Sequence, residues 1–227
     1  MSFDPTAVDT ITVDSYGTVV DPHSVEATLE AHVDEIRPIS NLWRSRSIMY
    51  TMVGNFVDEY QPFYEMNRDA LRFALESHGV DLPSETIDEI LSTYHDLDPF
   101  EDVRGGLEAL TDAGYDVSVL SNGNPEMLES MVESADIEDV IADTISAHEI
   151  RTFKPDADIY RHAAARTGTP IESMAHVAGP TFDVRGAMHA GMQGVWINRD
   201  NGPWDPSATE PDLIVETFFD LVDDLTQ

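Results

Sequence analysis

Apolar positions along this chain fall into two periodicities. Five short runs are continuously apolar or β-branched: Thr10-Ile-Thr-Val13, Asp116-Val-Ser-Val-Leu120, Thr144-Ile-Ser146, Ser173-Met-Ala-His-Val-Ala178 and Gly194-Val-Trp-Ile197. Each is followed by a turn or helix signal, as expected of parallel strands buried on both faces. Between them the apolar spacing becomes helical, in Gly105 to Gly114, Pro125 to Ala135, Asp156 to Thr167 and Asp183 to Ala190. Gly114 suits a helix C-terminus, and Pro125 suits a first helical turn. Strand and helix in alternation predict right-handed βαβ units, hence an α/β fold with a doubly wound parallel sheet. Ligands of such sheets bind beyond the carboxyl ends of the strands. Asp14, the segment Ser121-Asn-Gly-Asn124, Gly179-Pro180 and Asn198-Arg199 would therefore face one shared site.

The alternation breaks after the first run. From Val20 to Asp98 no strand is evident, and helical spacing runs through Val25 to Ile36, Ile39 to Val57, Asn67 to His78 and Ser84 to Tyr94. The expected organisation is a Rossmann-like core, 1–19 and 99–227, with a helical cap, 20–98, inserted after the first strand. Gly17 and Pro99 lie near its hinges. There is no internal repeat and no low-complexity segment.

Composition changes the picture in one respect. Lys and Arg total 12 against 44 Asp and Glu, a formal net charge of −32 over 227 residues. The acids are dispersed through amphipathic stretches, unlike the block of an interaction tail. Self-repulsion at such charge weakens a fold in dilute buffer, and molar salt, with a Debye length of about 3 Å, relieves it. The expectation is a protein adapted to a halophilic cytoplasm. The same charge argues against nucleic acid and anionic membrane as partners. Cysteine is absent, which excludes disulfides and thiolate chemistry. The N-terminus lacks a signal-peptide pattern, and no apolar run has the length of a membrane span, so the expected location is cytoplasmic.

Chemistry-bearing residues collect at the predicted strand ends. Asp14 could act as a carboxylate nucleophile, forming an ester that water cleaves, or could cap the next element. Lys154 is the sole lysine of the chain. Ser121 and Asn122 could bind an anion or cap a helix. Asp183 could cap its helix or pair with Lys154. None of the eight histidines has metal-ligand spacing, and Gly105-Gly106 lacks the dinucleotide-binding pattern. His23, His32, His78 and His95 read as surface or satisfied polar positions.

Asp14, Ser121, Lys154 and Asp183, in this order and each at its own segment end, resemble the four motifs of the haloacid dehalogenase superfamily. Phosphatases of that superfamily carry Asp-x-Asp in the first motif, where this chain has Tyr16. The form Asp-x-Tyr-Gly-Thr is similar to the L-2-haloacid dehalogenases. So are Leu42-Trp-Arg-Ser-Arg-Ser-Ile-Met-Tyr50 and Glu59-Tyr-Gln-Pro-Phe-Tyr64 in the insertion, Phe153-Lys-Pro-Asp156 with Tyr160, and Val195-Trp-Ile-Asn-Arg199.

The resemblance implies hydrolysis of short 2-haloalkanoic acids to 2-hydroxy acids, with neither metal nor cofactor. Asp14 would attack the halogen-bearing carbon. Arg44 and Asn122, with Phe63 alongside, would receive the halide. Ser121 and main-chain amides near Tyr16 would hold the substrate carboxylate, with Ile48 and Phe182 as further pocket wall. Lys154 would steady Asp14, Tyr160 would support Lys154, and Asp183 would complete the catalytic set. The implied partner is a small halogenated carboxylate, and a second copy of the chain is a candidate partner. One motif departs from the pattern. Ala178-Gly-Pro-Thr-Phe-Asp183 keeps Asp183 but replaces a serine and an asparagine, thought to hold the hydrolytic water, by Ala178 and Pro180. Neither replacement side chain can hydrogen-bond. The alternatives are a phosphatase-like or other hydrolase of the superfamily, or a weakly active homologue that binds small carboxylates.

Overall fold

The computed structural model describes residues 3–226. Its sheet has six strands: β1 Thr10–Val13, β2 Asp116–Ser121, β3 Asp143–Ser146, β4 Met174–Ala178, β5 Gln193–Ile197 and β6 Leu213–Val215. The order is β3-β2-β1-β4-β5-β6, with every pair parallel. β1 is central, with Val13 level with Val119 on one side and Val177 on the other. The order reverses at β1, which makes its carboxyl end the switch point where such sheets bind ligands. All residues of β1 and β4 are buried, as the unbroken apolar runs require.

The helices are α1 Glu26–Leu29, α2 Ile36–Val57, α3 Phe63–Ser77, α4 Ser84–Ser92, α5 Val103–Asp112, α6 Pro125–Ser134, α7 Ala157–Thr167, α8 Thr181–Ala190 and α9 Phe218–Thr226. Helices α1 to α4 follow β1, and β2 comes only after α5. The end signals act locally as read: Asp156 caps α7 by accepting from Asp158 N at 2.9 Å, and Gly114, just past α5, takes φ +99°.

Three expectations need correction. The helix read from Val25 to Ile36 is one short turn, Glu26–Leu29. Leu29 and Val33 are both buried, which accounts for the helical spacing. Pro38, however, is tolerated only in a first turn, so a new helix starts just ahead of it. Helix α3 begins at Phe63 rather than Asn67, with Pro62 as the residue before it. The sheet also gains a sixth strand, and α9 follows it. Leu213-Ile-Val215 is too short to stand out after an Asp- and Pro-rich stretch, and Ile214 is exposed at the sheet edge. Helix α9 buries Phe218, Leu221 and Leu225. Phe218 packs so closely on α5 that a Cβ on Gly106 would overlap it.

Candidate active site

Asp14 follows the last residue of β1, and its main-chain N–H is held by Val177 O at 2.9 Å. The chain then turns through Gly17, whose φ of +90° favours glycine. A Cβ on Gly179 would overlap the Gly17 carbonyl, so the loops after β1 and β4 approach as closely as backbone permits. Thr18 joins them: its hydroxyl donates to Asp14 Oδ2 at 3.1 Å and accepts from Gly179 N at 2.9 Å.

Lys154 reaches the same point from the segment before α7. Its Nζ lies 3.0 Å from Asp14 Oδ1 and 2.7 Å from Asp183 Oδ2. All three side chains are almost fully buried. Asp183 lies in the first turn of α8. Its Oδ1 accepts from Tyr160 OH at 2.6 Å and faces His176 Nε2 at 3.0 Å, at an angle that makes no hydrogen bond. The imidazole Nδ1 is 2.8 Å from Thr12 Oγ1.

The three charges respond differently to this crowding. Burial pushes Asp14 above the ordinary carboxylate range; Lys154 opposes the rise and neighbouring Asp183 adds to it. Burial acts on Asp183 too, but His176 and Lys154 outweigh it and hold that carboxyl well below the usual range. Burial would lower Lys154, yet two carboxylates beside it raise it, so it stays an ammonium. Asp14 is thus a carboxylate poorly solvated by water and held by one cation and one hydroxyl, which suits a nucleophile.

Above these groups lies a cavity of about 530 Å³. Nine of the residues singled out from the sequence line it: Asp14, Tyr16, Arg44, Ile48, Phe63, Asn122, Lys154, Phe182 and Asp183. Helix α2 supplies Arg44 and Ile48, and α3 supplies Phe63. The Arg44 guanidinium lies over the turn after Asp14, with Nη2 3.9 Å from where a Cβ on Gly17 would stand. Asn122 Oδ1 accepts from Lys154 N at 2.9 Å, which leaves the amide NH₂ for the cavity. The Tyr16 ring stacks on Phe63 with centroids 5.9 Å apart, and its buried hydroxyl has no hydrogen-bond partner among the described residues.

Two expected site residues stand behind the wall. Ser121 is fully buried; its hydroxyl pairs with Ser15 Oγ at 2.6 Å and accepts from Gly123 N at 2.9 Å. Tyr160 was expected to support Lys154, but its hydroxyl bonds Asp183 at both Oδ1 and the main-chain oxygen. It therefore acts on the lysine only through the shared carboxylate. Thr18, His23 and His176 were not anticipated as site groups. Thr18 had a signal, since a hydroxyl four residues past a strand-end carboxylate can fold back upon it. His23 had none, because its partner Arg44 lies on α2.

Residues 8–191 match the family model of the haloacid dehalogenase-like hydrolases. An (S)-2-haloacid dehalogenase of Pseudomonas putida is 31% identical over 212 residues, covering 93% of each chain. (S)-2-haloacid dehalogenase 1 of Pseudomonas sp. (strain CBS-3) is 33% identical, covering 84% of each. Among solved structures, the L-2-haloacid dehalogenase of Xanthobacter autotrophicus with chloropropionic acid covalently bound superposes with a TM-score of 0.89. It is 25% identical, with 96% of this chain and 98% of that one covered.

Proposed function

This chain belongs to the haloacid dehalogenase-like hydrolases, and from that membership we propose how its residues carry out the hydrolytic dehalogenation of short (S)-2-haloalkanoic acids. Asp14 is the nucleophile. A carboxylate oxygen attacks the halogen-bearing carbon from the face opposite the halogen, the carbon–halogen bond breaks with its electron pair, and the carbon is inverted. Arg44 and the NH₂ of Asn122, flanked by Phe63, meet the halide as its charge develops, where donors stabilise the transition state more than the neutral bond. The substrate carboxylate goes to main-chain N–H groups around Tyr16, with Ser121 reaching it by exchanging its bond to Ser15. Ile48 and Phe182 wall the alkyl side.

In the second half-reaction water attacks the carboxyl carbon of the Asp14 ester. The bond from that carbon to the substrate oxygen breaks and the 2-hydroxy acid leaves with one proton of the water. The other proton leaves through the Asp183 and Lys154 pair, and the water oxygen stays in the regenerated Asp14 carboxylate. With Ala178 and Pro180 in place of hydrogen-bonding side chains, Lys154 and Asp183 hold this water.

The observation that carries the reading is the buried Asp14–Lys154–Asp183 arrangement, opening on a cavity that also receives Arg44. The test is halide release from (S)-2-chloropropionate and phosphate release from p-nitrophenyl phosphate, in high KCl, with and without EDTA. Halide release that EDTA leaves unchanged and that Asp14→Asn abolishes is expected. Mg²⁺-dependent phosphate release without halide release would overturn it.

Residues 20–98 act as the cap, closing the cavity from α2 and α3. The protein works in a halophilic cytoplasm, which the net charge of −32 supports. Among the described residues no helix is long and apolar enough to cross a membrane. A homodimer forms through the outer face of α2, where Met49, Val53, Phe56 and Val57 are exposed, Phe56 at 93%. Clustered apolar surface of this kind marks an interaction face.

A further inference from the structure

His23 lies in the loop between β1 and α1, outside the four motifs. Its Nε2 is 2.6 Å from Arg44 Nη1 on α2, and its Nδ1 is 3.1 Å from Glu26 Oε1. The chemistry of the two partners fixes the form of the ring. A guanidinium can only donate, so Nε2 must offer a lone pair. A carboxylate accepts, so Nδ1 carries the proton. The His23 main-chain N–H is itself tied to Asp21 Oδ1 at 2.8 Å, which anchors the loop. Glu26, His23 and Arg44 thus form a chain in which the carboxylate sets the tautomer and the imidazole holds one arm of the guanidinium.

From this geometry we infer that His23 is a positioning residue for the dehalogenation step, holding Arg44 over the turn after Asp14. The inference rests on the reading of Arg44 as the halide-side cation. With Nη1 engaged, Nη2 is the arm that lies over Gly17. A free arginine on a long side chain samples many rotamers, and misplacement by about 1 Å can cost on the order of 10²-fold in rate. Arg37, also from α2, approaches the far oxygen of Glu26 at 3.8 Å. The expected consequence is a slower halide-release step whenever position 23 offers Arg44 no acceptor.

The experiment is rapid-quench halide release from (S)-2-chloropropionate by the full chain, from pH 5 to 9, in wild type, His23→Leu, His23→Gln and Arg44→Gln. His23→Leu is expected to lose about 10²-fold in the first-turnover rate at every pH. In His23→Gln the side-chain oxygen can accept from Arg44. It should recover most of that rate. Circular dichroism in the same salt checks that each variant is folded. Wild-type rates in both His23 variants would overturn the inference. So would a His23→Gln loss equal to that of His23→Leu. If Arg44→Gln also releases halide at the wild-type rate, the reading of Arg44 has failed. If Arg44→Gln is slow while His23→Leu is not, only the role of His23 has failed.

Discussion

Asn55 and Phe153 are joined by two hydrogen bonds between α2 and the segment before α7: the amide NH₂ of Asn55 donates to Phe153 O at 2.7 Å, and Phe153 N–H donates to Asn55 Oδ1 at 3.0 Å. Asn55 belongs to α2, which also carries Arg44, and Phe153 precedes Lys154. One side chain therefore ties the helix bearing Arg44 to the segment bearing Lys154. Asn55→Ala leaves a buried N–H and carbonyl without these partners, which costs about 1–3 kcal/mol. The expected outcome is a lower melting point, with kcat for halide release reduced more than KM is raised. A drop in stability with unchanged kcat would make Asn55 a purely structural tie.

Lys154→Met is expected to abolish halide release and to reverse the pH dependence of stability. In the wild type, Asp183 has a carboxyl held low, so its contribution is present above the ordinary carboxylate range and is lost as pH falls. Without the lysine, two buried carboxylates face each other and one must take a proton, raising its folded-state value. Such a group favours the folded state below its unfolded value, and that advantage is lost as pH rises. Loss of one partner of a buried pair costs about 3–5 kcal/mol. Chemical denaturation at pH 4.5 and pH 8 checks the sign: the variant should gain stability at the lower pH, where the low-held Asp183 carboxyl of the wild type brings no such gain.

In the proposed mechanism, attack on the halogen-bearing carbon requires Asp14 to be ionised. Because burial raises its carboxyl above 3.8, the first-turnover rate should fall at higher pH than an exposed aspartate would dictate. Thr18 donates to the charged form, so Thr18→Val should move this limb further up and slow the step on the acid side. A pH profile of rapid-quench halide release in wild type and Thr18→Val checks the shift.

Phe56→Glu, on the exposed face of α2, is expected to shift the protein from dimer to monomer in sedimentation velocity at high KCl. Halide release should persist, since Phe56 does not line the cavity. Over the same KCl series the wild-type melting point should rise, because a net charge of −32 is relieved by screening. A flat melting curve would remove the case for halophilic adaptation.

Much of the architecture was legible because local physics produces it. Continuous apolar runs must be buried, so β1, β2, β4 and β5 announce themselves, and Gly114, Pro125 and Asp156 mark helix ends by backbone preference alone. Asp14, Lys154 and Asp183 could be singled out because each follows or opens an element of that pattern. The sequence alone, then, determined the alternation, the crowding of polar residues at strand ends and the strongly acidic surface. Only the tertiary structure decided who meets whom. The sheet order puts β4 beside β1, which brings Asp183 to Lys154, turns Tyr160 onto Asp183 and places His176 under it. The passage of α2 over the loop after β1 joins His23 to Arg44. Those contacts join residues 21 to 29 apart in the chain or, for His176 and Asp183, depend on side-chain direction, and neither is encoded in a local periodicity. Asp14 shows the division: its place at a strand end was readable, but the lysine and hydroxyl that contact it, and the burial that raises its carboxyl, arise only when the loops after β1 and β4 close on each other.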